Sequence, residues 1–181
     1  MFSATRTELG RVGYVAMRID DVASLSGVNK TTIYRRWPTK HELVADAIRA
    51  DHHEIEVPDT GDIRADLHQM LFDDLDRLLE KERLGMMRIF YAERTNPEVD
   101  SLGRELRADH RRPRIERVLR AQERGEIAAH VDPEIVIDVL LGTVYGKVVR
   151  LGDVITHEYI VSLVDMVLDG ALARPRSVRG T

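Results

Sequence analysis

The sequence predicts an all-α chain: a small helix-turn-helix unit over residues 1–50, a larger helical domain over 51–174 and a flexible tail over 175–181. Three observations carry that expectation. Apolar residues recur at steps of three and four, most regularly from Ile63 to Leu79, which puts them on one side of a helix of 3.6-residue period. Helix-boundary chemistry is frequent: Thr39-x-x-Glu42 has the form of a capping box, and Pro133 follows Asp132 as a first-turn proline behind a capping acid. Between Asp51 and Asp62 the apolar pattern lapses into histidines, acids, Pro58 and Gly61, and this break divides the chain.

The first helix is expected over residues 2–12, with Ala4, Leu9 and Val12 inward and Gly13 as its stop. Asp20 to Ser26 makes a second, with Val22 and Ala23 at helical spacing after Ile19, and Gly27 supplies the turn. Asn29 caps a third that runs to Arg36 and closes ahead of Pro38. The capping box opens a fourth, whose apolar face is Leu43, Val44, Ala47 and Ile48. Beyond the break, Ile63 to Leu79 spans about five turns, Leu84 to Glu93 is shorter, and Glu98 to Arg124 is long, charged and expected to kink or break at Pro113.

The last two helices, Pro133 to Leu151 and His157 to about Ala173, are the most apolar. Gly142 and Gly146 lie four apart on one face, where another helix backbone can approach closely, and Ile160, Leu163, Val164, Val167, Leu168 and Ala171 form a stripe on the final helix. Such a pair either forms an interface between copies, the favoured reading, or completes the intramolecular core.

Composition sets bounds on function. At 181 residues with 43% apolar content the chain can fill a core, and with no cysteine it has neither disulfides nor thiolate metal sites. No stretch approaches the ~18 uncharged apolar residues of a membrane span, and Met1 to Gly13, with Arg6, Glu8 and Arg11, lacks the apolar core of a signal peptide. A soluble, cytoplasmic location is therefore expected. The net charge of −4 is unevenly placed: residues 1–50 carry eight Lys or Arg against five Asp or Glu, or +3, leaving −7 for the remainder. A basic head on an acidic body suits a DNA-facing module carried by a domain with another task.

The stretch from Ile19 to Lys40 carries the chemistry. Gly27 permits a sharp turn, Val28 plugs the space between the helices, and Ile33 anchors the second of them from beneath. Lys30, Thr31, Thr32, Tyr34, Arg35 and Arg36 then crowd the exposed face and ends of a short helix, offering hydroxyls, an amphipathic ring and guanidiniums to base edges and phosphates.

At these residues the sequence resembles the TetR family of transcriptional regulators: a Gly27-Val28 turn, Thr31-Thr32-Ile33-Tyr34, the aromatic Trp37, and a lysine in Thr39-Lys40-His41-Glu42-Leu43 opening the next helix. Gly13-Tyr14 also falls where the family has Gly-Tyr or Gly-Phe, and Gly125-Glu126-Ile127, Asp132-Pro133-Glu134 and Gly170 are similar to the C-terminal half of many members. The resemblance implies a homodimer, joined through the last two helices, that binds double-stranded operator DNA as a repressor and releases it when a small molecule enters the C-terminal domain. It places Thr31, Thr32 and Tyr34 in the major groove, Lys30 and Arg35 beside them, Lys40 on a phosphate and Arg18 near the backbone; Arg36 is either a phosphate ligand or a solvated charge, and Trp37 packs between helices. Candidate pocket residues are Met70, Phe72, Met86, Met87, Phe90, Tyr91, His110 and Tyr145, each either a lining or a core side chain. The first helix is expected to depart from the pattern, since only Phe2 to Val12 is available to it: either the helix is short, or the start site lies upstream.

Two other functions compete with this expectation. An enzyme is disfavoured because His52, His53 and His68 lack a metal-ligand pattern, no nucleophile motif is present, and Gly142-x-x-x-Gly146 has no phosphate-loop lysine after it. No cofactor and no metal is expected. A helix-turn-helix adaptor acting constitutively or through protein partners, without an inducer, is the stronger alternative.

Overall fold

The computed structural model describes residues 1–50 and 57–170, and among these the ordered elements are helical, with no strand. In chain order the helices are α1 (Phe2–Ala16), α2 (Ile19–Ser26), α3 (Lys30–Arg36), α4 (Lys40–Arg49), α5 (Ile63–Leu79), α6 (Lys81–Ala92), α7 (Pro97–Glu123), α8 (Pro133–Tyr145) and α9 (His157–Asp169). The expected starts are set by side chains that accept first-turn N–H groups: Asn29 for α3, Thr39 in a complete capping box with Glu42 for α4, Asp62 for α5, Asn96 for α7, Asp132 for α8 and Thr156 for α9. Each such cap contributes about 1 kcal/mol.

Several boundaries differ from those the sequence predicts. Gly13 interrupts α1 at φ 82°, ψ 170°, but the chain resumes a helical turn and runs on to Ala16. Helix α6 begins at Lys81, three residues early. Helix α7 runs through Pro113 without a break, because its packing on α4, α5 and α8 outweighs one lost backbone hydrogen bond. The apolar run after Pro133 does not stay α-helical: α8 ends at Tyr145, Gly146–Leu151 form a π turn, and Gly152 closes it with a left-handed φ of 76°. Gly170 is the C-cap of α9 at φ 76°; Ala171, like His52, His53 and the tail, lies outside the described residues.

Two hydrophobic cores result. The larger one joins α5, α8 and α9 with one face of α7, around Leu67, Leu71, Leu78, Ile137, Leu140 and Ile160. The smaller one holds α1 to α4 together around Leu9, Val22, Ile33, Leu43 and Ile48, but it is closed by Met86 of α6 and by Val99, Leu102 and Leu106 of α7. The head therefore completes its core with helices from beyond residue 50, and α1 packs on α6 while α4 packs on α7. A helical bundle of this size needs that shared surface, since four short helices bury too little apolar area alone.

Candidate nucleic-acid interface

The helix-turn-helix is assembled as its residue types require. Gly27 takes a left-handed φ of 68° between α2 and α3, where a side chain would be strained. Val22 and Ile33 are fully buried beneath the turn, and Val28 is half-buried between them. Trp37 is buried, its ring edge-on to Phe2 at 5.5 Å, and its Nε1–H donates to Asp46 Oδ2 of α4 at 2.8 Å. Packing between α3 and α4 is thus its role.

With Ile33 and Trp37 turned inward, Lys30, Thr31, Thr32, Tyr34, Arg35 and Arg36 all lie exposed on α3. Tyr34 keeps 41% of its surface accessible, a large value for an aromatic residue. Lys30 Nζ pairs with Asp20 of α2 at 2.6 Å and stands 5.7 Å from the Tyr34 ring, and the Asp20 hydrogen bond raises the Lys30 pKa. Arg36 lays its guanidinium 4.8 Å from the Trp37 ring centroid, and Arg18 is exposed at the N-cap of α2. Thr32, Arg35 and Arg36 share a surface hollow with Met1, Val28 and Trp37. Of the residues the sequence singles out for DNA contact, the structure exposes Lys30, Thr31, Thr32, Tyr34, Arg35 and Arg36 together on α3, with Arg18 exposed at the start of α2.

Lys40 is placed differently from the rest. Its Nζ donates to the carbonyls of Tyr14 (2.7 Å), Val15 (3.3 Å) and Met17 (3.3 Å) and stands 4.5 Å from the Tyr14 ring. All three ammonium donors are thereby occupied in closing the end of α1, so the lysine is a C-terminal cap within the head. A phosphate contact would have to displace these carbonyls. The sequence hides this, because the partners lie 23 to 26 residues away.

The same corner joins the head to the larger domain through residues that sequence reasoning missed. Glu93, after α6, accepts the backbone N–H of Tyr14 at 2.8 Å and of Val15 at 3.2 Å. The Tyr14 hydroxyl donates to Glu98 of α7 at 2.9 Å, and burial together with that carboxylate pushes the phenol pKa up. Gly13 makes the approach possible: a Cβ there would collide with Glu93 Oε1. The only signal in the sequence was the Gly-Tyr pair, which does not name its acidic partners.

In the larger domain the predicted lining residues do not form one group. Met70 lies in the larger core with Phe72, Met87 and Tyr145 packed against it; Met86 is in the smaller core, with Phe90 against it. Met87 touches both. Tyr91 is 42% exposed, under the guanidinium of Arg94 at 5.1 Å. The reason is that α6 lies between two cores, so its helical period sends successive apolar residues to opposite sides. Near Met70 a buried ion pair spans α5 and α7: Arg114 Nη2 donates to both oxygens of Asp74, at 2.6 and 2.7 Å.

Residues 2–47 match the bacterial regulatory proteins of the tetR family, and residues 57–167 match the tetracyclin repressor-like C-terminal domain. The chain belongs to the TetR family. Among its relatives, this TetR family chain is 30% identical over 152 residues to the HTH-type transcriptional regulator AqdR of Rhodococcus erythropolis, covering 83% of the chain and 73% of AqdR. It is 31% identical over 174 residues to the DNA-binding transcriptional repressor TetR of Mycobacteroides abscessus, covering 87% and 84% of the two chains. The crystal structure of the TetR family transcription regulator SCO0332 superposes with a TM-score of 0.75 at 29% identity, over 95% of this chain and 96% of that one. The chain is accordingly a TetR family DNA-binding transcriptional regulator, and its relatives act in transcription rather than as enzymes.

Proposed function

We propose that this regulator binds a pseudo-palindromic operator as a homodimer, reads it with α3, and releases it when a small molecule occupies the larger domain. The single observation that supports the reading face is the exposed row on α3, held rigidly from behind by Ile33 and Trp37. Thr31, Thr32 and Tyr34 are assigned to base edges, Lys30 and Arg35 to the flanks, and Arg18 and Arg36 to phosphates. Lys40 supports α1 in this scheme, in place of a phosphate contact.

Dimerisation through α8 and α9 is supported by apolar residues left uncovered there: Ile135 is 60% exposed, Met166 52%, and Val139 and Tyr159 are also accessible. A Cβ at Gly142 would meet nothing within contact distance among the described residues, so no described helix of the same chain uses that close-approach position. Two copies offering this face to one another would cover it symmetrically.

The test is selection of bound fragments from a genomic DNA pool at stated salt, with the wild type, Tyr34→Ala and Lys40→Ala. The wild type enriches one palindromic sequence, Tyr34→Ala loses that enrichment at unchanged melting temperature, and Lys40→Ala loses stability first. A wild type that enriches nothing overturns the operator reading, and a Tyr34→Ala variant selecting the same site as strongly overturns the assignment of α3.

A further inference from the structure

We infer that Asp20 is a specificity-determining residue of the DNA-binding head: by pairing with Lys30 it withholds that charge from the phosphate backbone and trims the sequence-independent share of binding. The inference rests on the reading of α3 proposed above and adds how that face is kept selective. Its basis is one contact between the two helices of the helix-turn-helix. Asp20 lies in the first turn of α2 and Lys30, ten residues on, opens α3. The Lys30 ammonium stands 2.6 Å from Asp20 Oδ1 and 2.8 Å from Oδ2, and 5.7 Å from the Tyr34 ring centroid. The acid thus reaches across to the exposed row on α3 and fixes its first cation beside the aromatic ring.

The Lys30 and Asp20 side chains stay 54% and 42% exposed, and an ion pair that open to water adds little to folding stability. Its effect is felt where DNA meets the head. Non-specific binding is supplied by cations that replace the counterions of phosphates. A lysine bridged to both oxygens of a carboxylate carries its counterion already, and the acid travels with it to a surface of like charge. The cations near it are held in other ways: Lys40 by three carbonyls and Arg36 over the Trp37 ring. Among the described residues Lys30 alone of these three meets an acid. In exchange, the flexible lysine stem gains one ordered place between Asp20 and Tyr34, which favours a site that fits that place over one that does not. Specificity is a difference of affinities, and a device that weakens the wrong complex raises it as surely as a new contact in the right one.

The experiment uses the full-length wild type, Asp20→Asn, Lys30→Gln and the double variant. Fluorescence anisotropy measures their affinities for the selected operator and for a random-sequence duplex across a series of sodium chloride concentrations. Freeing one lysine per head steepens the slope of log affinity against log salt by ~0.9, which at about 0.15 M salt is a roughly fivefold gain on the random duplex. Asp20→Asn shows that gain, while its affinity for the operator rises less because Lys30 has lost its fixed place, so the preference for the operator falls. In the Lys30→Gln background the same change leaves the preference where it was, which a helix cap or a direct base contact by Asp20 would not do. An unaltered slope on the random duplex after Asp20→Asn, or a preference that falls equally with and without Lys30, overturns the inference. The reading of α3 fails separately. If Lys30→Gln and Tyr34→Ala both bind the operator as the wild type does, that reading is lost and this inference with it; if both weaken it while Asp20→Asn changes nothing, this inference alone is lost.

Discussion

Replacing Gly13 by alanine tests how the head is fastened to the larger domain. At φ 82°, ψ 170° the residue occupies backbone space essentially reserved for glycine, and alanine there costs on the order of 2 kcal/mol. Its Cβ also expels the Glu93 carboxylate from the Tyr14 and Val15 N–H groups. A hydrogen bond to a charged acceptor contributes about 1.5–3 kcal/mol, but Val15 is solvent-exposed, so losing both costs about 2 kcal/mol. Gly13→Ala should therefore cost about 4 kcal/mol and Glu93→Ala about 2 kcal/mol. In the double variant the carboxylate is already absent, so its cost stays at about 4 kcal/mol and the two changes couple by about 2 kcal/mol. Urea unfolding followed by helical circular dichroism at fixed protomer concentration measures all three values. Additivity within about 0.5 kcal/mol would refute the reasoning, because it would mean that Gly13 and Glu93 do not act on the same hydrogen bonds.

Trp37→Phe keeps the ring packing but deletes the donor to Asp46, and should cost about 1–2 kcal/mol in the same assay; no loss would show the bond to be ornamental. His110 makes stability depend on pH. Its folded pKa of about 4 lies below the ordinary 6.5, so on acidification the unfolded chain takes the proton first. Its contribution is therefore complete above 6.5 and is lost as pH falls towards 4. His110→Gln should flatten the stability profile over that interval, and an unchanged slope would sink the assignment. Val139→Asp, placing a charge on the exposed face of α8, should shift sedimentation from dimer to monomer without changing helical content. A persistent dimer would move the interface elsewhere.

Much of the site was readable because it is local. The α3 face depends on a turn glycine, a cap and the helical period, all within Ile19 to Trp37, and each operates over one or two turns of chain. Lys40 belongs to the same stretch, yet the carbonyls it meets lie at the end of α1, 23 to 26 residues away, and its residue type and position do not reveal them. The candidate pocket fared less well for a related reason. Met86, Phe90 and Tyr91 are apolar or aromatic by type, but only the placement of α6 between two cores decides that they face different surroundings.

The helices among the described residues, several of their caps and the exposed face of α3 were determined by the sequence itself, since propensity, capping and amphipathic spacing act between residues at most a few positions apart. Tertiary structure alone decided that Gly13 admits Glu93, that Tyr14 reaches Glu98, that Asp74 meets Arg114, and that the apolar run after Pro133 ends in a π turn. These depend on contacts between residues 40 to 84 apart, or on packing against another helix, and no local pattern encodes which acid will face which donor. The glycine of the Gly13-Tyr14 pair shows the division plainly. Its conformational freedom is a property of the residue, whereas the carboxylate that uses it is a property of the fold.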